Sequence, residues 1–160
     1  MEKIRISKIL SEKGLCSRRE ADKFIELGQV LLDGKTVLEL GAKAFRSQKI
    51  ELKDKAKKTQ LSKATIILHK PIGYISHLDD DKEFTPAASL ITPDKYFKQS
   101  EDNKNPIFKS DGLAPAGRLD IDSSGLLVLT QDGRVAKQII GENVVVEKEY
   151  LVRVEGNLSD

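Results

Sequence analysis

The chain of 160 residues has one cysteine, one methionine, two histidines and no tryptophan. A single thiol, Cys16, cannot build an internal disulfide framework and is too little for a cysteine-based metal site. It is expected to be a small buried apolar residue. His69 and His77 have no Cys or His at ligand spacing, so both are expected in packing or surface roles and not as acid-base groups or ligands. No apolar run approaches the ~20 residues needed to cross a bilayer, and Met1-Glu2-Lys3-Ile4-Arg5 lacks the hydrophobic stretch of a secretory signal. No membrane role is expected, and the location is read as cytoplasmic. Aromatic residues are only 5% of the chain, but 39% hydrophobic with 32% charged is an ordinary globular balance, enough for one domain or two small ones.

The net charge of +2 conceals an uneven distribution. Residues 1–60 hold 15 Lys+Arg against 9 Asp+Glu, whereas residues 61–160 hold 12 against 16. The first part is therefore the one suited to a polyanion. There, Ile6, Ile9 and Leu10 recur at helical spacing up to Gly14, and Ser17-Arg18-Arg19-Glu20 is a capping-box start for a second helix that Gly28 closes. Ala21, Phe24 and Ile25 share one face of it, and Arg19 and Lys23 another. Val30-Leu31-Leu32, Asp33-Gly34 and Lys35-Thr36-Val37 predict a tight hairpin, with Lys49–Leu52 as a further strand. Arg5, Lys8, Arg18, Arg19 and Lys23 are the candidate RNA-binding cations, able to hold a folded phosphate backbone without reading its sequence. Lys53–Gln60 has no apolar periodicity and is expected to be an exposed basic linker that lets the two domains move.

Thr65–His69 predicts a strand running into the turn Lys70-Pro71-Ile72-Gly73-Tyr74. Asp79-Asp80-Asp81 lacks the spacing and curvature of a metal cage and is read as a solvated loop. Residues 93–109 are polar and loop-like. Gly117-Arg118-Leu119-Asp120 then sets an arginine and a carboxylate on a loop just before the apolar run Leu126–Leu129, the kind of place where a rigid scaffold carries chemistry. Asp120 is a candidate nucleophile or base, with Asp122 as its competitor. Arg134–Ile140 can form a short amphipathic helix, and the alternation from Glu147 to Val154 predicts a strand.

The stretch Gly117–Thr130, with Ala116-Gly117-Arg118 before Leu119-Asp120 and Ser124-Gly125-Leu126-Leu127 after, resembles the active-site segment of RNA pseudouridine synthases. Its form is similar to the RsuA-type branch that modifies ribosomal RNA. Ile6–Leu10, Cys16–Ala21, Gly28-Val30 and Asp33-Gly34 likewise resemble the RNA-binding domain first described in ribosomal protein S-four. The resemblance implies Asp120 as catalytic aspartate, Arg118 as active-site arginine and substrate contact, and Tyr150, in Lys148-Glu149-Tyr150, as the aromatic that packs on the target base. It implies Lys70, Pro71 and Gly73 as shapers of the cleft floor, with Lys70 in a structural and not a catalytic role.

The activity so implied is isomerisation of a uridine in ribosomal RNA, with the large subunit favoured, by a monomer with no cofactor and no metal. Asp120 has two possible jobs, attack on the anomeric carbon or proton abstraction from the ribose to give a glycal. Arg118 would keep Asp120 ionised or bind a phosphate. The expected fold class is α+β: residues 1–60 form a helix-helix-β RNA-binding domain with its linker, and residues 61–160 a partial, mostly antiparallel pseudouridine synthase domain. The family's last motif, Gly followed by Gln-Ile-Arg, is absent before Asp160, so the chain is expected to be a piece that binds RNA but does not turn it over alone. The rivals are a non-catalytic RNA-binding module and a glycoside hydrolase using Asp120 with Asp122; the lack of tryptophan for sugar stacking counts against the latter.

Overall fold

A computed structural model describes residues 2–77, 83–95 and 111–156. The chain starts with strand β1 (Ile4–Arg5) and helix α1 (Ile6–Glu12), followed by α2 (Arg18–Glu26). The Ser17 hydroxyl accepts from the Glu20 amide at 3.3 Å, and the Glu20 carboxylate accepts from the Ser17 amide at 2.6 Å, so the expected capping box is complete. Both helices end in the same way. Leu15 N–H donates to Leu10 and Gly14 N–H to Ser11, and Gln29 N–H to Phe24 and Gly28 N–H to Ile25. Each is a Schellman cap around a glycine at positive φ, +69° at Gly14 and +61° at Gly28.

Strands β2 (Val30–Leu32) and β3 (Lys35–Val37) pair as the predicted hairpin, with Val30 opposite Val37. Asp33 and Gly34 both have positive φ, as a two-residue turn matched to strand twist requires. Strand β4 (Lys43–Ala44) pairs with β1, and β5 (Ile50–Leu52) with β2. Ile6, Ile9, Leu10, Phe24, Ile25, Val30 and Ile50 close a core that also takes Cys16, 1% exposed.

The linker expectation fails. Residues Asp54–Leu61 form helix α3, and Ala56, 1% exposed, packs into this first core. Lysine, glutamine and alanine are good helix formers, and Asp54 in the first turn with Lys58 in the last suits the helix dipole. A single buried alanine leaves no periodicity to read, which is why the segment resembled a spacer.

The second part holds β6 (Thr65–Lys70), β7 (Tyr74–Ile75), β8 (Thr85–Pro86), β9 (Ala114–Pro115), β10 (Gly125–Thr130) and α4 (Gly133–Ile140). Its sheet runs β6-β10-β9, antiparallel throughout, with Thr65 opposite Thr130 and Lys70 opposite Gly125; β7 and β8 form a short parallel pair. Leu127 and Leu129 point to one face and join Ala87 and Leu113 in a second core, with Ile66, Leu68 and Tyr74 against it. The fold is mixed helix and mainly antiparallel sheet, as the α+β expectation had it. Asp79-Asp80-Asp81 and most of the 93–109 stretch lie outside the described residues; Pro93–Lys95 is a 3-10 turn.

The strand expected over 147–154 does not form. Residues 145–154 carry no regular structure, and Val145 and Leu151 are each 95% exposed. An alternating pattern becomes a strand only where a neighbour accepts its hydrogen bonds and covers its apolar face. Among the described residues none does.

The two parts touch, contrary to the picture of domains on a loose tether. Lys63 pairs with Glu20, the capping-box carboxylate, and Arg134 Nη1 donates to Gly14 O at 3.4 Å. Gly133, at the start of α4, lies so near α2 that a Cβ on it would stand 2.5 Å from Ser17 Cβ.

Candidate active site

The candidate residues Arg118 and Asp120 lie on the loop between β9 and β10, in the second part. Both side chains are exposed, whereas Leu119 between them is half-buried. The loop is bounded by Gly117 at φ +120° and Gly125 at φ +143°, conformations that favour glycine. Ser123 N–H donates to Asp120 O at 3.1 Å and turns the chain back toward β10.

What holds the loop comes from the segment 70–76, from the last residue of β6 to the residue after β7. Ser76, 3% exposed, donates its hydroxyl to Leu119 O at 2.7 Å and accepts from Leu119 N–H at 2.9 Å. Gly73 N–H donates to Ile121 O at 2.8 Å, with Gly73 at φ +83°. Lys70 is fully buried, and its ammonium donates to Tyr74 O at 2.7 Å, Pro71 O at 3.0 Å and Ile121 O at 3.4 Å. Burial pushes the Lys70 pKa below the ordinary lysine value, and the nearby Asp120 and Asp122 carboxylates oppose that shift. A buried cation satisfied by three carbonyls is a structural bolt. Its charge still acts on the two aspartates.

Among the described residues, Arg118 and Asp120 form no side-chain hydrogen bond or ion pair with each other or with another group. Tyr150 is 62% exposed on the irregular tail, and no hydrogen bond or ring contact brings it to Asp120. His69 and His77 are exposed. No three His, Cys, Asp or Glu among the described residues stand close enough to hold a metal ion, and no described helix is long and apolar enough to cross a membrane.

In the first part, Arg5, Lys8 and Arg18 line one cleft of about 360 Å³ with Lys3 and Lys43, and the carboxylates Glu2 and Asp22 line it too, leaving cations in excess. Lys43 reaches it because β4 sets Lys43 directly opposite Arg5. Arg19 and Lys23 lie exposed on α2, outside the cleft lining. Lys8 sits 4.0 Å from Glu12, which also pairs with Arg46. A larger cavity of about 480 Å³ is walled by Leu15, Ile50, Leu52, Leu61 and Arg134, and holds neither Arg118 nor Asp120. Sequence reasoning missed Lys43 and Ser76. Lys43 had only its charge to mark it, and Ser76 had no distinguishing signal, since its partner lies 43 residues away.

The chain belongs to the RNA pseudouridylate synthase family, whose profile matches residues 64–160; that of the S4 domain matches residues 4–43. It is 35% identical to ribosomal large subunit pseudouridine synthase B of Bacillus subtilis, over 95% of this chain and 56% of that protein. It is 32% identical to an uncharacterized RNA pseudouridine synthase of Aquifex aeolicus, over 98% of this chain and 60% of that one. It is 31% identical to the dual-specificity RNA pseudouridine synthase RluF of an Escherichia coli strain, over 98% and 49% respectively. The chain thus spans about half to three-fifths of the length of these curated relatives.

Proposed function

We propose that this chain carries the catalytic loop and the RNA-docking part of an enzyme that isomerises a uridine to pseudouridine in ribosomal RNA, with the large subunit as the favoured source. The observation that supports it best is the 118–121 loop. Its backbone is tied down by Ser76, Gly73 and Lys70, while the Arg118 and Asp120 side chains stay exposed and uncommitted among the described residues. Such preorganisation is what catalysis needs from a scaffold. In the reaction the bond from ribose C1′ to N1 breaks, the base rotates, C1′ bonds to C5, and the C5 proton is lost as N1 gains one. The product is an isomer, and no external reactant is needed.

Asp120 serves either as the nucleophile at C1′ or as the base that takes a ribose proton. Arg118 steers the carboxylate or a substrate phosphate, and Tyr150 stacks on the target base once it has left the helix. The 1–60 segment, acting through Arg5, Lys8 and Arg18, with Arg19 and Lys23 beside them, fixes the RNA, and the 61–160 segment acts on it. We take the active form to be a cytoplasmic monomer.

The test is tritium release from RNA labelled at uridine C5, with filter binding in parallel. In the full-length protein, Asp120→Asn is expected to abolish release while changing RNA affinity less than about 2-fold, because it removes charge and nucleophilicity but keeps shape. Sustained turnover by the Asn variant removes Asp120 from the mechanism. A second reading, an RNA-binding module without turnover, draws on the exposure of Tyr150. RNA binding with no release by the full-length protein is the result it expects.

A further inference from the structure

A serine hydroxyl has one proton to donate and lone pairs to accept with, so it can close on both polar groups of one residue's backbone. Ser76 does this to Leu119, accepting from its N–H at 2.9 Å and donating to its C=O at 2.7 Å. The N–H belongs to the planar peptide unit that ends on the Cα of Arg118. The C=O belongs to the unit that ends on the Cα of Asp120. One buried oxygen therefore sets the tilt of both planes, and with them the starting directions of the two side chains. Ser76 is 3% exposed, and its hydroxyl bonds to the Leu119 backbone and to neither side chain.

We propose that Ser76 is the positioning residue of this site, a clamp on Leu119 that orients Arg118 and Asp120 together. The inference rests on the reading of Asp120 as the reacting carboxylate. The next link, Gly73 N–H and the Lys70 ammonium on Ile121 O, holds the loop downstream of Asp120. It leaves the Arg118-Leu119 plane untouched. Without Ser76, that plane has no partner among the described residues.

The experiment compares the unaltered full-length protein with Ser76→Ala and Ser76→Thr by three measurements: thermal melting, exchange of the Leu119 amide proton by NMR, and steady-state tritium release. Ser76→Ala should speed Leu119 exchange by about 10-fold or more and lower kcat by about 10- to 100-fold, the range that a misplacement near 1 Å can cause. KM should hold within about 2-fold, because the cations assigned to RNA docking, Arg5, Lys8 and Arg18, line a cleft that does not include Ser76. Ser76→Thr keeps the hydroxyl and should recover most of the protection and the rate. A purely structural role would instead lower the melting temperature and raise KM together, with kcat per folded molecule retained. Unchanged Leu119 exchange in Ser76→Ala overturns the clamp, and faster exchange with wild-type kcat overturns its role in positioning. If the unaltered full-length protein releases no tritium, the catalytic reading fails by itself. The exchange arm then still decides whether Ser76 orients the loop.

Discussion

Gly133→Ala tests the contact between the two parts of the molecule. A methyl carbon at this position would stand 2.5 Å from Ser17 Cβ and 2.8 Å from Ser17 Oγ. Carbon atoms in contact prefer 3.5–4.0 Å, so either α4 or the start of α2 must retreat by about 1 Å. Gly133 has no positive φ, and alanine at a helix start is intrinsically favoured over glycine by less than about 1 kcal/mol. Against this stands overpacking, which costs about 1–3 kcal/mol, and Ser17 cannot retreat without loosening the bond its hydroxyl accepts from Glu20 N–H. The clash wins, with a net loss of about 1–2 kcal/mol. The alternative is that the contact opens, giving up the Lys63–Glu20 pair and the bond from Arg134 to Gly14. Calorimetry should find a melting temperature lower by about 2–8 °C. Hydrogen exchange should show faster loss of protection at the Glu20 amide. A variant with wild-type melting and unchanged Glu20 exchange would refute the contact between Gly133 and Ser17.

Replacing Arg5, Arg18 and Lys43 by Ala together should weaken binding to ribosomal RNA and flatten the slope of log affinity against log salt by about 2 to 3, since each lost phosphate contact removes roughly 0.7–0.9. An unchanged slope in a filter-binding titration would place the RNA face elsewhere. Burial of Cys16 raises its thiol pKa from 9.0 to about 11. The folded value lies above the unfolded one, so the thiol's contribution is fully present below pH 9 and is lost as pH rises through about 11. The loss amounts to about 2–3 kcal/mol. Denaturant titrations from pH 8 to 11 should show that fall in the protein but not in Cys16→Ala, and parallel pH profiles would contradict it.

Local rules account for most of what could be read in advance. Ser17 and Glu20 make a capping box from three residues' separation, and Gly14 and Gly28 end helices because only a residue at positive φ completes the cap. Asp33-Gly34 turns a hairpin for a similar reason, and the apolar runs of β6 and β10 find each other with six pairs in register. The Arg118-Leu119-Asp120 motif, too, is visible as a string of letters beside a strand.

Other features depend on partners far along the chain. Helix α3 is anchored by Ala56 in a core built from residues 6 to 52, and nothing within 53–60 announces that burial. The alternation at 147–154 is real, but strand formation needs a neighbouring strand, and none of the described residues supplies one. Lys43 joins the cleft of Arg5 and Arg18 only because β4 pairs with β1, and Ser76 becomes a clamp only because the end of β7 brings it against Leu119. Sequence by itself determined where helices and turns begin and end, because caps, turns and periodicity are settled within a few residues. Tertiary structure alone decided which backbone groups are held and which cations converge, because those depend on contacts across tens of residues whose loop-closure cost is met only when whole cores assemble.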